Sequence, residues 1–236
     1  MAVWCGWMAE KKSQGNVQPG YLTTERHARS SNSRTDTRDP VMKHAEFLQR
    51  EHLTKEELLA HAYGNLVEDP PDQFTRIPAP PMLMLDRVTN VERNGVRGRI
   101  VAEKDVQIDE WFFHSHFIGD PVQPGCLGVD AIWQMIGLFL SLRGPSSSGR
   151  ALGCKEIEFN GQIRPHNKLI RYEVDIRRYT YMEEKGVAMA VGTGYVFVDG
   201  EHIYTVKDAK VGGFKDIAYS DYPHKSARSV GGIMER

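Results

Sequence analysis

The sequence predicts an α+β protein in which one antiparallel sheet curls around a single long helix. Residues 125–142 are apolar on nearly all sides of a helix, and a helix with so little polar surface must be buried. Roughly six strand-like segments flank it, and the pairs Asn94-Gly95 and Asp199-Gly200 mark tight hairpins between some of them. One buried helix and several antiparallel strands pack most simply as a sheet wrapped around that helix.

Length and composition bound the kind of protein and its partners. The chain has 236 residues, of which 40% are hydrophobic and 26% charged, and its formal net charge is −1. This charge balance gives no overall field for nucleic acid or for an anionic membrane. The longest apolar stretch, 131–142, is shorter than the roughly 20 residues that span a bilayer. We therefore expect no nucleic-acid or membrane partner, and we predict a cytoplasmic location.

The two ends of the chain differ in composition from its middle. Residues 9–41 are rich in Ser, Thr, Arg, Asn and Gly, with almost no bulky apolar side chain, so residues 1–41 are predicted to be a disordered extension. Residues 217–236 are polar and are predicted to form a flexible tail. Between them, residues 42–216 are predicted to form a single domain.

Local signals predict the elements of this domain in order. A helix is predicted over 46–63, because Thr54 and Glu57 have the spacing of a capping box and Gly64 can end the helix. Residues 69–81 are a proline-rich connector. Strands are predicted over 82–93, 96–106, 151–163, 169–180, 187–198 and 203–211.

The residues that can carry chemistry lie on either side of the start of the long helix. A histidine can take up and return a proton near neutral pH, and His116 precedes a Gly- and Pro-rich turn. Asp130 lies about one and a half turns into the helix, where a charged carboxylate is costly to bury, whereas a neutral acid can donate a proton. Gln134, four residues later, can hydrogen-bond the Asp130 carboxyl group. This arrangement predicts proton transfer on a carbonyl compound; a structural histidine and an acid that offsets the helix dipole are the alternatives.

Other residues of the same segment indicate a function less specifically. Gly125 opens the helix, and free amides there can bind a carbonyl oxygen, although glycine is also common at helix starts for packing. Cys126 could be a nucleophile, because a helix start lowers a thiol pKa, but packing is the more ordinary role. His114 and His116 could bind a metal from one strand face, yet no third ligand has a suitable spacing. The three cysteines are widely spaced, so neither a metal site nor a disulfide framework is predicted.

The run from His116 to Gln134, HFIGDPVQPGCLGVDAIWQ, closely resembles the signature of the bacterial 3-hydroxydecanoyl-(acyl carrier protein) dehydratase/isomerases. The resemblance extends from about Leu53 to Phe214 and includes residues 78–88, 149–165 and 196–212. It implies the hot-dog fold, an antiparallel sheet wrapped around one long helix, and a homodimer whose two sheets join edge to edge. Active sites would lie at the dimer interface, with the histidine from one subunit and the acid from the other.

The resemblance also implies a role for each matching residue. His116 would remove the C2 proton of a 3-hydroxyacyl thioester, and Asp130 of the partner subunit would help the 3-hydroxyl group leave as water. The Gly125 amide would hold the thioester carbonyl, and the Val122 carbonyl would accept a hydrogen bond from the His116 ring. The further substrate-binding residues would be Cys126, Trp133 and Gln134. No metal or other cofactor is implied, because the thioester itself acidifies C2.

The implied substrate is a 3-hydroxyacyl phosphopantetheine thioester on acyl carrier protein. The candidate contacts for this acidic partner are Arg177, Arg178, Lys207 and Lys210, with ordinary solvated strand charge as the alternative. Dehydration to trans-2-enoyl is implied, and Asp130 in place of a glutamate implies isomerisation of trans-2-decenoyl to cis-3-decenoyl in unsaturated fatty acid synthesis. The alternatives are a hot-dog acyl thioesterase, a dehydratase without isomerase activity and a non-catalytic acyl-binding subunit.

Overall fold

The computed structural model describes residues 40–145 and 147–215, which share one hydrophobic core. The predicted flexible tail over 217–236 lies outside the described residues, as does the predicted disordered extension except for residues 40 and 41. Within the described residues, no helix is both long and apolar enough to cross a membrane.

Within the described residues, the core helix α3 is accompanied by four shorter helical segments and seven strands. In chain order they are α1 (His44–Phe47), α2 (Lys55–Tyr63), β1 (Arg87–Asn94), β2 (Arg97–Asp105), a 3-10 turn (Trp111–His114), α3 (Gly125–Ser141), β3 (Ser148–Gly153), β4 (Glu156–Phe159), β5 (Leu169–Met182), a second 3-10 turn (Glu183–Lys185), β6 (Val187–Val198) and β7 (Glu201–Phe214).

The strands form one antiparallel sheet around α3, as predicted. Their order is β1-β2-β5-β6-β7-β3, and β4 also pairs with β7. Twelve of the seventeen residues of α3 are buried, and the helix packs against β2, β3, β5, β6 and β7. The sheet approaches the helix so closely at Gly194 that a Cβ there would lie 2.5 Å from Ile132. The prediction of an antiparallel sheet wrapped around one long helix is therefore confirmed.

The single helix predicted over 46–63 is wrong, because the chain forms two helices there. The segment between α1 and α2 leaves the helix so that Leu53 can exchange backbone hydrogen bonds with Val88, at 3.0 and 2.9 Å. The predicted cap of α2 is confirmed. The Thr54 hydroxyl accepts from the Glu57 amide at 3.2 Å, the Thr54 amide donates to the Glu57 carboxylate at 2.8 Å, and Gly64 ends α2 with φ +82°.

Two strand boundaries also differ from the prediction. The strand predicted from residue 82 begins only at Arg87, because the backbone groups of Met82 and Met84 bind a helix side chain instead. The strand predicted over 151–163 is divided into β3 and β4, since Gly153, at φ +129°, shifts the register against β7. The glycine turns after β1 and β6 are present as predicted.

Candidate active site

His116 lies in the loop between the first 3-10 turn and α3, and a reciprocal pair of hydrogen bonds fixes it there. Its ring Nδ1 lies 2.9 Å from the backbone oxygen of Val122, and the Val122 amide donates to the His116 oxygen at 2.8 Å. A carbonyl oxygen can only accept, so Nδ1 carries the proton in this contact and Nε2 is left with the lone pair of the neutral ring. The ring is half-buried. Nε2 is thus the atom that can take up a proton.

The loop that follows His116 is held by its own backbone and by Arg164. The amides of Phe117 and Asp120 donate to each other's oxygens at 2.9 and 3.0 Å. Arg164, in the connection between β4 and β5, forms an ion pair with Asp120, and its amide donates to Asn167 at 2.7 Å. The connection between β4 and β5 therefore anchors the loop that carries His116. The peptide bond between His116 and Phe117 is cis.

Asp130 lies on α3, and Gln134 holds its carboxylate. Gln134 Nε2 donates to Asp130 Oδ2 at 2.7 Å, which confirms the predicted contact between residues four apart. The same Nε2 donates to the Met82 oxygen at 2.7 Å, and Gln134 Oε1 accepts from the Met84 amide at 3.0 Å. Because Gln134 is bound to two backbone groups ahead of β1, its own position is fixed. It therefore fixes the orientation of the Asp130 carboxyl group.

The first turn of α3 is packed closely against two aromatic rings. Pro124 supplies no side-chain cap, and the Leu127 amide donates to the Pro124 oxygen at 3.0 Å, so the Gly125 and Cys126 amides are the first-turn amides without an acceptor among the described residues. A Cβ on Gly125 would lie 2.7 Å from the Phe159 ring, and one on Gly128 would lie 2.7 Å from the Tyr204 ring. These two rings meet edge to face, with centroids 4.8 Å apart. The glycines therefore serve packing, and they also leave the first-turn amides open to a ligand.

A cavity of about 550 Å³ opens beside His116 at this helix start. Its walls include His116, Val122, Gly125, Cys126, Phe159 and Tyr204. Burial raises the pKa of Tyr204 to about 12, so its hydroxyl group stays protonated at neutral pH. The cavity therefore joins a proton acceptor, first-turn amides of a helix and a largely apolar wall.

A second cavity, of about 330 Å³, contains Asp130. Its walls include Thr75, Asp130, Gln134, Gly137 and Gly149. Trp133 contributes to both cavities, and its ring nitrogen is buried without a hydrogen-bond partner in the described part of the chain. Within one chain, the predicted base and the predicted acid therefore face different cavities, separated at Trp133.

The predicted carrier-protein contacts lie on β5 and β7, and none of them lines either cavity. Arg178 and Lys210 are each paired in register with Val191 of β6, so one strand separates them. Neither forms an ion pair with a described residue, whereas Arg177 lies 3.0 Å from the Asp208 carboxylate. The four basic side chains are therefore not equivalent.

Lys207 differs most from the other predicted carrier contacts. Its Nζ lies 3.1 Å from Glu158 and 3.2 Å from Glu156, both on β4. Hydrogen bonds and charge attraction from these two carboxylates raise the Lys207 pKa above its usual value. Its charge is thus matched within the chain.

The wall residues that the sequence did not predict include Phe159, Tyr204 and Gly137. They reach the cavities only through strand pairing or through the helix face, and no spacing from His116 marks them. No three described His, Cys, Asp or Glu side chains cluster closely enough to hold a metal ion, and His114 is exposed.

The antiparallel sheet wrapped around one long helix defines a protein of the hot-dog fold. The model of the FabA-like domain matches residues 77–207, a range that holds both His116 and Asp130. The chain belongs to this FabA-like family.

Several solved structures are similar to part of this chain at low identity. The dehydratase heterocomplex ApeI:P from Xenorhabdus doucetiae is 17% identical, over 62% of this chain and 91% of that chain, with a TM-score of 0.44. The (R)-hydratase from A. caviae involved in PHA biosynthesis is 18% identical over 50% and 96%, with a TM-score of 0.36. A hypothetical thioesterase with coenzyme A from Streptococcus pneumoniae is 13% identical over 53% and 83%, with a TM-score of 0.35. These likenesses concern the fold alone.

Proposed function

We propose that this protein dehydrates 3-hydroxyacyl thioesters on acyl carrier protein to the trans-2-enoyl products. The observation that carries the proposal is the hydrogen bond from His116 Nδ1 to the Val122 oxygen. It leaves Nε2 as a base on the wall of a cavity at the start of α3. A base beside the free amides of a helix start is what removal of a proton next to a thioester carbonyl requires.

In the proposed reaction, His116 Nε2 takes the C2 proton of the bound substrate. The negative charge moves to the thioester oxygen, where the Gly125 amide and the positive end of α3 stabilise it. The C3–oxygen bond then breaks, and the departing hydroxyl group takes a proton from Asp130 of the partner subunit and leaves as water. At the end of the reaction His116 is protonated and Asp130 is ionised. Transfer of one proton from His116 to Asp130 through solvent restores both groups.

The site is proposed to be shared between two copies of the chain. His116 and Asp130 line different cavities of one chain, which supports a site completed by a second subunit. The edge strand β4 pairs only with β7 among the described strands, and Ile157 and Phe159 on it are 38% and 52% exposed. An unpaired edge with exposed apolar side chains favours edge-to-edge joining of two sheets.

The proposal includes isomerisation of trans-2-decenoyl to cis-3-decenoyl, in which one proton leaves C4 and one is added at C2. The resemblance of residues 116–134 supports this step, and so does the fixed Asp130 carboxylate. Acyl carrier protein as the partner and the cytoplasm as the location belong to the same proposal.

Product analysis with a 3-hydroxydecanoyl thioester tests the reaction. We expect trans-2-decenoyl and cis-3-decenoyl thioesters, with the thioester bond intact. Release of free 3-hydroxydecanoic acid would identify a thioesterase instead. Formation of trans-2 without cis-3 product would remove the isomerase from the proposal, and binding without turnover would leave an acyl-binding protein.

Mixing two inactive variants tests the shared site. His116→Ala and Asp130→Asn should each abolish dehydration while the protein remains a folded dimer. Heterodimers of the two variants contain one site with both groups intact, so exchange of subunits should restore up to half of the activity per heterodimer. If light scattering and a tagged-subunit pull-down prove exchange and no activity returns, the shared site is wrong.

A further inference from the structure

The cavity that contains Asp130 continues along α3 beyond the acid. Asp130, Trp133, Gln134 and Gly137 all line it, and their spacing of three, four and seven residues places them on one face of the helix. A Cβ added to Gly137 would meet nothing within 4 Å. The space beside Gly137 is therefore open, and it exists because this position has no side chain.

The opposite wall of the cavity combines small and large side chains. Gly149 and Ala151 of β3 line it, together with Thr75 and Ile77 from the connector ahead of β1, and the other lining residues on this side are Arg76, Pro78, Arg150 and Val211. A Cβ on Gly149 would lie 3.3 Å from the Thr75 methyl group, so Thr75 already fills the space on that side. What remains is a narrow passage between Gly137 and the wall formed by β3.

A buried network closes the passage one helical turn beyond Gly137. Ser141 is 1% exposed, and its hydroxyl donates to the Thr75 oxygen at 3.0 Å. The Thr75 hydroxyl in turn donates to the Ser147 oxygen at 2.6 Å. Because these polar groups satisfy one another, an alkyl chain gains nothing by displacing them, and the passage ends between Gly137 and Ser141.

We propose that Gly137 sets the length of the acyl chain, because the alkyl tail of the substrate runs from Asp130 along this passage. This inference rests on the proposed function, which puts C3 of the substrate at Asp130. Gly137 lies seven residues further along, or about 10 Å at about 1.5 Å per residue. Bond angles reduce the advance of an extended alkyl chain to about 1.2 Å per carbon–carbon bond, as along an extended backbone, so a tail needs about eight bonds beyond C3 to come level with Gly137. A chain of about ten or eleven carbons therefore reaches the open space.

The test measures kcat/KM for 3-hydroxyacyl pantetheine thioesters of four, six, eight, ten and twelve carbons. In the natural protein we expect kcat/KM to rise with length up to about ten carbons. Gly137→Leu should leave the four- and six-carbon substrates within about twofold and lower the ten-carbon value. The loss should approach fourfold for each methylene excluded, because burying one contributes about 0.8 kcal/mol. Gly137→Ala should give a smaller loss in the same direction.

The failure of this inference is distinguishable from failure of the proposed function. Calorimetry with unreactive amide analogues of the same five lengths measures binding without turnover. Dehydration with a length profile unchanged by Gly137→Leu would overturn the inference and leave the reaction standing. A different outcome is that the natural protein does not dehydrate the substrates, while Gly137→Leu changes how analogue binding depends on chain length. That outcome would overturn the reaction and support the tail passage. Short substrates that remain active in the variant exclude misfolding as the cause.

Discussion

Gln134 Nε2 donates a hydrogen bond to the Asp130 carboxyl group at 2.7 Å, and it also donates to the backbone oxygen of Met82, ahead of β1, at 2.7 Å. The acid on α3 is therefore held by a side chain that is itself anchored at Met82 and Met84. One glutamine thus joins the core helix, the chain entering β1 and the proposed acid.

Replacing this glutamine should cost both stability and activity. Gln134→Leu keeps a similar volume but leaves the Met84 amide and the Met82 oxygen without their partner. We expect the free energy of unfolding to fall by about 1–3 kcal/mol, the cost of one unsatisfied buried group, because Met84 is 1% exposed whereas Met82 is 41% exposed and its oxygen can be hydrated. The dehydration rate should also fall, because the Asp130 carboxylate loses its orientation. Urea unfolding and kcat measure the two effects.

The matched control for this change is Gln107→Leu. Gln107 is exposed and lines neither of the two cavities, so both quantities should stay near those of the natural protein. A Gln134→Leu protein as stable and as active as the control would show that the three hydrogen bonds of Gln134 contribute less free energy than their burial indicates.

Carrier-protein binding should depend on the two unpaired basic residues rather than on all four. The double variant Arg178→Glu and Lys210→Glu should raise KM for the carrier-bound substrate by about tenfold or more. It should leave KM for the free pantetheine thioester unchanged, because that substrate makes no contact with the sheet surface. The effect should shrink as salt is added, since exposed charges are screened.

Arg97→Glu, at an exposed position on β2, provides a control with the same charge change as a single Arg178→Glu variant. If this variant raises KM for the carrier-bound substrate as much as a single Arg178→Glu variant does, the effect is one of net charge and the assigned contact surface is wrong.

Sequence patterns predicted the core helix, the hairpins and the capping box because each depends on neighbouring residues. The contact between Asp130 and Gln134 was predictable for the same reason, as four residues make one helical turn. The break between α1 and α2 was not, because its cause is the pairing of Leu53 with Val88, far along the chain. Local propensity could not reveal a competitor that only the folded sheet supplies.

The candidate site divides in the same way. The run around His116 indicated a base near a helix start, but Phe159 and Tyr204 reach that start only through the pairing of β4 with β7. The role of Gly137 could not be predicted for another reason. A glycine leaves space only relative to the residues opposite it, and these are known only from the folded structure. Contacts along one helix can be predicted from spacing, whereas residues brought in by strand pairing and residues that act by leaving space cannot.

His61 should make the stability of the fold depend on pH. It is fully buried between Phe47 and Phe74, with ring centroids 5.1 and 5.2 Å away, and neither ring nitrogen has a hydrogen-bond partner among the described residues. Burial, with a smaller contribution from the Arg76 charge, lowers its pKa to about 4. An unfolded chain therefore binds a proton between about pH 6.5 and 4 that the folded chain does not.

The free energy of unfolding should consequently fall as the pH is lowered through this window, with a His61 contribution of about 3 kcal/mol. Below about pH 4 this contribution should be fully lost. His61→Phe, which keeps a ring against Phe47, should remove that part of the pH dependence, as measured by urea unfolding at several pH values. His166→Gln changes an exposed histidine and should leave the slope unaltered. Equal slopes in His61→Phe and the natural protein would contradict a buried neutral histidine.

The same substitution at two glycines of α3 should have opposite effects on stability. Helix propensity favours alanine over glycine by about 1 kcal/mol, so Gly137→Ala, whose new methyl group meets nothing within 4 Å, should stabilise the protein by up to that amount. At Gly128 the same methyl group would lie 2.7 Å from the Tyr204 ring, which is 2% exposed and cannot move into solvent without opening the core.

Gly128→Ala should therefore destabilise the fold by about 1–3 kcal/mol, the usual cost of overpacking, which exceeds the gain in helix propensity. Thermal unfolding of the two variants side by side measures the contrast, and each variant is the control for the other because helix, residue type and added volume are the same. A melting temperature lowered equally in both would mean that the space beside Gly137 is not open, and the passage for the acyl tail would then lose its physical basis. A raised temperature for Gly137→Ala, together with weaker activity on ten-carbon substrates, separates the loss of tail binding from any loss of folding.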